Sequence, residues 1–180
     1  MQKLLVYGSL IAAASLGALR GSTLQQLSLD DMIRQSTMIV RGKPQPTYSA
    51  FRGSLIYTHY SVQVTENLKG TPAKQLDIVV PGGVSNGFRQ SFAGAPTLAP
   101  GQDYVLFLWT SKTGLTQVIG LTQGLFRVTA NSSGQLMVLR AASTELMLNA
   151  AGHPVTDSDL QMLLSDLRTR IQNVLNGGGK

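Results

Sequence analysis

Between Ser54 and Glu66 the chain alternates with a period of two: Ile56, Thr58, Tyr60, Val62 and Val64 fall on one face, and Tyr57, His59, Ser61, Gln63 and Thr65 on the other. A helix would spread these residues around its circumference, so the stretch predicts a long strand with one apolar side. Such a strand needs neighbours to pair its backbone and cover that side. The chain has no Cys, which excludes disulfide frameworks, thiol catalysis, iron–sulfur clusters and cysteine zinc sites. With only His59 and His153, a multi-histidine zinc site is excluded as well, and no cofactor is expected. The core must be made by packing alone, and 180 residues that are 43% hydrophobic suffice for one domain of that kind.

The remaining segments read as further strands between two helices. Ser28 with Asp31 three residues on, followed by the stripe Leu29, Met32 and Ile33, predicts a short helix over 29–36. Residues 37–43 predict a strand that Pro44 and Pro46 end or confine to a sheet edge. Leu76, Ile78 and Val80 predict a third strand closing at Pro81, and the apolar run Tyr104–Trp109 a central strand buried on both faces. Segments 115–121, 124–129 and 136–139 complete the β set, the last two as a hairpin about Asn131-Ser132-Ser133-Gly134. Thr156 with Asp159 reads as a capping box opening a helix through Leu160, Leu163, Leu164, Leu167, Ile171 and Leu175. Residues 82–102, with Gly82, Gly83, Gly87, Gly94 and Gly101, lack periodicity and read as an unusually long loop. Contiguous strands between helices predict a mainly β protein: a small antiparallel OB-like barrel with a short N-terminal helix and a C-terminal amphipathic helix. The expected parts are a leader at 1–21, a helical segment at 22–36, the barrel at 37–142, a helical segment at 143–176 and a tail at 177–180.

The leader rests on Lys3 and the charge-free run from Leu4 to Leu19, closed by Arg20-Gly21-Ser22, which has the layout of a secretory signal peptide. Cleavage after Ala12-Ala13-Ala14 or Ser15-Leu16-Gly17 satisfies the small-residue rule equally; an uncleaved membrane anchor and a buried helix are the alternatives. Without Cys there is no lipoprotein acylation site. The expected location is secreted or periplasmic. The net charge of +6 falls to +5 without Lys3 and to +4 without Arg20. The other basic residues are scattered and read as a solvated surface, so no nucleic-acid partner is expected.

Three blocks carry a family resemblance: Met38-Ile39-Val40-Arg41-Gly42-Lys43, then Tyr60 to Gly70 with its Val62-Gln63-Val64 and Leu68-Lys69-Gly70, then Leu98 to Leu108 with Gly101 and Tyr104. Over about residues 36–110 this order resembles the netrin-module family, which includes the tissue inhibitors of metalloproteinases, and implies an OB-type barrel. The whole chain also resembles secreted bacterial proteins of unknown function that share a Pro-Gly-Gly block, here Pro81-Gly82-Gly83. Inhibition in the netrin-module family uses a disulfide-bonded N-terminal Cys on the target's zinc. This chain lacks Cys, so no inhibitory residue carries over.

Chemistry-bearing constellations are sparse. Asp30, Asp31, Asp157 and Asp159 fall in expected first helical turns, where they complement the helix dipole. His59 stands beside Tyr57 and Ser61, and Gly82-Gly83-Val84-Ser85-Asn86-Gly87 lacks the Gly-Lys-Ser ending of a phosphate loop. The expected function is therefore that of an exported, non-enzymatic binding protein meeting a protein or envelope polysaccharide. Its contact residues are expected among Gly82, Gly83, Ser85, Asn86 and Arg89 of the loop and Tyr57 and His59 of the strand. A hydrolase using Ser85 or Ser61 with His59, and an OB-type single-stranded nucleic-acid binder using Tyr57, Tyr60 and Arg residues, are the alternatives; export argues against the second.

Overall fold

The computed structural model describes residues 23–177. The run Leu4–Leu19 read as a leader lies outside the described residues. Among the described residues thirteen strands and two helices follow in order: β1 (Thr23–Gln25), α1 (Leu29–Gln35), β2 (Met38–Arg52), β3 (Leu55–Lys69), β4 (Gln75–Pro81), β5 (Gly83–Ser85), β6 (Phe88–Gln90), β7 (Tyr104–Thr110), β8 (Thr116–Val118), β9 (Leu125–Ala130), β10 (Leu136–Arg140), β11 (Leu146–Leu148), β12 (Pro154–Val155), β13 (Leu160–Leu163) and α2 (Leu164–Leu175). The protein is mainly β, as the alternation and turn signals imply. The large sheet runs β13-β10-β9-β7-β2-β3-β4 with β8 beside β7, and every ladder in it is antiparallel. β4 comes alongside β8, so the sheet curls, while among the described residues no ladder joins its two ends. A small sheet β1-β11-β12 contains the parallel pair β1–β11.

Both faces of the sheet centre are covered, and period-two alternation sorts the side chains between them. On one face Ile39, Val105, Phe107, Phe126, Val128 and Val138 pack against Met32 and Ile33 of α1 and Leu164, Leu167, Ile171 and Val174 of α2. On the other, Val40, Val62, Ile78, Val80, Tyr104, Leu106, Leu108 and Val118 enclose a second cluster closed by Leu98. This explains the unbroken apolar run of β7: a strand covered on both sides has no polar face to alternate with. Trp109 departs from the expected burial, being 44% exposed.

Ser28 caps α1, accepting from the Asp31 N–H at 3.1 Å, and the Asp31 carboxylate returns to the Ser28 N–H at 3.3 Å. At its other end the Lys69 ammonium donates to the carbonyls of Ile33, Arg34 and Ser36 at 2.6, 2.9 and 2.6 Å, satisfying acceptors the helix cannot pair itself.

β2 does not end at Pro44 and Pro46 but continues to Arg52, in the sheet-edge position that is the other expectation for these prolines. Its partner on one side, β7, covers only Met38–Gly42, so beyond Gly42 it pairs with β3 alone and the prolines fall where a donor can be spared. The Thr156–Asp159 capping box does not form, and no helix occupies most of 143–176. Asp159 instead accepts from the Ala142 N–H at 2.7 Å, residues 160–163 become strand β13 against β10, and the helix starts only at Leu164. Pairing the open edge of β10 gains backbone hydrogen bonds that a longer helix would leave unmade on the sheet. Leu175, assigned to the apolar stripe, is 44% exposed.

Candidate functional site

Beyond the last pair with β7 at Gly42, β2 and β3 run on as a ribbon that turns at Gly53-Ser54, with β4 beside β3 as far as Tyr57. The segment expected to be an irregular loop over 82–102 is, in its first half, the hairpin β5–β6 laid against this ribbon. Asn86 and Gly87 form its two-residue turn with φ of 49° and 78°, both left-handed, the combination Asn-Gly adopts most readily. The Gly82 N–H donates to the Ile56 carbonyl at 2.8 Å, and the Thr58 hydroxyl donates to the Gly82 carbonyl at 2.8 Å. That spends the one Thr58 proton, so the 2.9 Å contact between the Ser49 and Thr58 hydroxyls is donated by Ser49. Gly83 has φ of 131°, and a Cβ there would collide with both hydroxyl oxygens. Gln90 completes the clamp, its Oε1 accepting from the Ile56 N–H at 2.6 Å and its Nε2 donating to the Ser54 carbonyl at 2.8 Å.

These contacts hold the hairpin on the ribbon face that carries Ser49 and Thr58. Tyr57 and His59 alternate to the opposite face. The predicted binding residues therefore divide: Gly82, Gly83, Ser85, Asn86 and Arg89 lie with the hairpin on one side, Tyr57 and His59 on the other. Gly82 and Gly83 are used for close packing, and Asn86 for the turn. Ser85 is not brought to His59. The His59 Nδ1 lies 2.9 Å from the Asp77 carboxylate, and its ring stacks on Tyr48 with centroids 4.3 Å apart and planes at 14°. Ser61 accepts from the Gln75 amide at 2.7 Å.

The end of the ribbon and its hairpin exposes Tyr48 (57%), Phe51 (40%), Leu55 (37%), Val84 (50%) and Phe88 (66%). Phe51 and Phe88 meet edge to face, centroids 6.1 Å apart at 76°, which links the two elements at their tips. The Arg52 guanidinium donates to the Thr113 carbonyl at 2.7 Å and so draws in the β7–β8 turn with Lys112. Arg52, Arg89 and Lys112 are exposed, and among the described residues none is in a salt bridge. The sequence from 32 to 65 and again from 78 to 102 contains neither Asp nor Glu. Those two gaps, together with Tyr48 and Phe51, are the signal that reading single motifs overlooked.

Several other basic residues are paired with carboxylates away from the ribbon end. Arg41 grips Asp103 at 2.6 and 3.0 Å, Arg168 grips Glu66 at 2.7 Å through two nitrogens, and Arg170 binds Asp30 in the same manner at 2.7 Å. The Glu66 carboxylate holds Arg168 above the usual guanidinium range, against the opposing effect of burial. Arg140, only 5% exposed, donates through Nη2 to Asp157 and to the Ser158 carbonyl, both at 2.8 Å, while its Nε has no partner among the described residues. It borders a cleft of about 380 Å³ with Thr97, Tyr104, Arg127 and Gln161. Burial pushes the Asp157 carboxyl up, but the Ser143 N–H and Arg140 together outweigh it and hold the group below the ordinary carboxylate value. Asp157 is thus an internal counter-ion, not the helix-dipole partner expected of it.

The chain matches no protein-family model, and no curated protein and no solved structure is detectably similar to it, so the architecture that stands is a mainly β fold with a curled antiparallel sheet.

Proposed function

We propose that this chain is an exported interaction protein whose contact surface is the ribbon end: Tyr48, Phe51 and Leu55 of β2–β3 with Val84, Phe88 and Arg89 of the hairpin. The carrying observation is that Phe88, 66% exposed, sits on a hairpin that is clamped rather than loose. Apolar side chains held rigidly in water lose little conformational freedom when a partner covers them. Export is supported by the signal-like layout of residues 3–22, and it makes the cell envelope the available source of partners. The ladder order β4-β3-β2-β7 supports reading the sheet as a netrin-module-like barrel.

The test is the double substitution Phe51→Ser with Phe88→Ser. Both side chains are exposed, so unfolding should move by less than ~1 kcal/mol. Crosslinking of the chain to envelope components should nevertheless fall at least ~10-fold, as expected when anchor aromatics leave a contact surface. Unchanged crosslinking would remove the ribbon end from the reading.

A further inference from the structure

We propose that the partner of this ribbon end is an anionic lipid surface. The inference rests on the reading that the ribbon end is the contact surface, and it names the chemistry of what is contacted. Three observations carry it. The apolar side chains do not make one flat patch: Tyr48 and Leu55 project from the ribbon face that carries His59, whereas Phe51 and Phe88 meet on the face that carries the hairpin. A convex, two-sided tip fits a partner that flows around it better than a preformed protein surface. Arg52, Arg89 and Lys112 lie in the strands and turns that make this tip, the stretches 32–65 and 78–102 hold no carboxylate, and Asp77, set farther back on β4, faces His59; the tip therefore carries a local charge complementary to phosphate headgroups. The three turns nearest the tip, at Gly53-Ser54, Asn86-Gly87 and Lys112–Gly114, are polar and carry backbone groups that water or headgroups can satisfy and hydrocarbon cannot. The geometry therefore describes shallow docking: aromatic rings at the headgroup level, arginine stems along them, and turns remaining wet.

Partition of the full chain onto vesicles tests this. Residues 3–20, an apolar run flanked by Lys3 and Arg20, are the same in every variant, so the deciding measurement is how the preference for anionic lipid differs between variants. Onto vesicles of about 30% phosphatidylglycerol in phosphatidylcholine, wild type should partition ~10-fold or more strongly than onto phosphatidylcholine alone, and the excess should shrink as salt rises. Arg52→Gln with Arg89→Gln should erase most of that excess, each cation near the surface being worth roughly fivefold. In a Phe88→Trp, Trp109→Phe chain, the single indole should be quenched by brominated lipids in anionic vesicles, and adding Arg52→Gln with Arg89→Gln should relieve the quenching. Equal partition onto both compositions, or an unquenched indole, overturns the lipid assignment. If the Phe51→Ser, Phe88→Ser chain then still loses envelope crosslinks, the contact surface stands with a macromolecule as its partner. If neither measurement moves, both readings fall.

Discussion

Gly83 is the residue on which the hairpin's seating turns. Its φ of 131° suits glycine, and its α-carbon faces the Ser49 and Thr58 hydroxyls with no room for a methyl group. Gly83→Ala should cost about 1–3 kcal/mol of stability and loosen β5–β6 from the ribbon. Faster hydrogen exchange at the Ile56 amide, which Gln90 now covers, would register the detachment; an unchanged rate would refute it. Asp157 is decisive elsewhere, because Arg140 beside it is buried and has no other carboxylate contact among the described residues. Asp157→Asn leaves that guanidinium uncompensated and should destabilise the fold by about 3–5 kcal/mol. The same group has a pH signature. Its folded-state pKa is depressed, so its contribution is complete above the unfolded value near 4 and is lost as pH falls through the lower folded value. Urea midpoints should decline below about pH 4 in wild type, and Asp157→Asn should flatten the part of that decline this carboxyl causes.

At the level of elements, the two Ser/Thr-x-x-Asp patterns separate local from tertiary control. Ser28 and Asp31 form a reciprocal cap on α1, whereas Thr156 and Asp159 match the same pattern without opening a helix, because Asp159 is held by Ala142 and the next four residues pair with β10. Ser28→Ala should therefore cost about 1 kcal/mol and Thr156→Ala less than ~0.5 kcal/mol, read from denaturant midpoints at constant slope. Equal losses would contradict the assignment. Helix α2 has Leu163 at its N-cap position and so no side-chain cap; it is held by its apolar face and by the pairs Arg168–Glu66 and Arg170–Asp30, which tie it to β3 and α1.

At the level of the whole molecule, stability and contact chemistry occupy different regions. Two clusters on opposite faces of the sheet centre supply the core, while the ribbon extends past β7 and carries its aromatic residues into solvent. Much of the core was legible. The run from Tyr104 to Leu108 predicts burial correctly, and the alternation of Ile56 to Val64 does so for Ile56 and Val62, with Tyr60 and Val64 half-buried, because period and polarity are local properties of a strand. Asn86-Gly87 was also readable in principle, since the dipeptide dictates its own turn. The candidate surface was legible only in fragments: Arg89 and Asn86 were picked out, but the separation of the hairpin from His59 by the thickness of the ribbon was not. Sequence alone determined the β-rich class, the cysteine-free core and the cap of α1, all settled within a few residues of backbone. Only the tertiary structure decided that 160–163 would be strand, that Asp157 would neutralise Arg140, and that Phe51 would meet Phe88. Those outcomes depend on which sheet edge lacks a partner and which charge lacks a counter-ion, and both are set by residues distant along the chain.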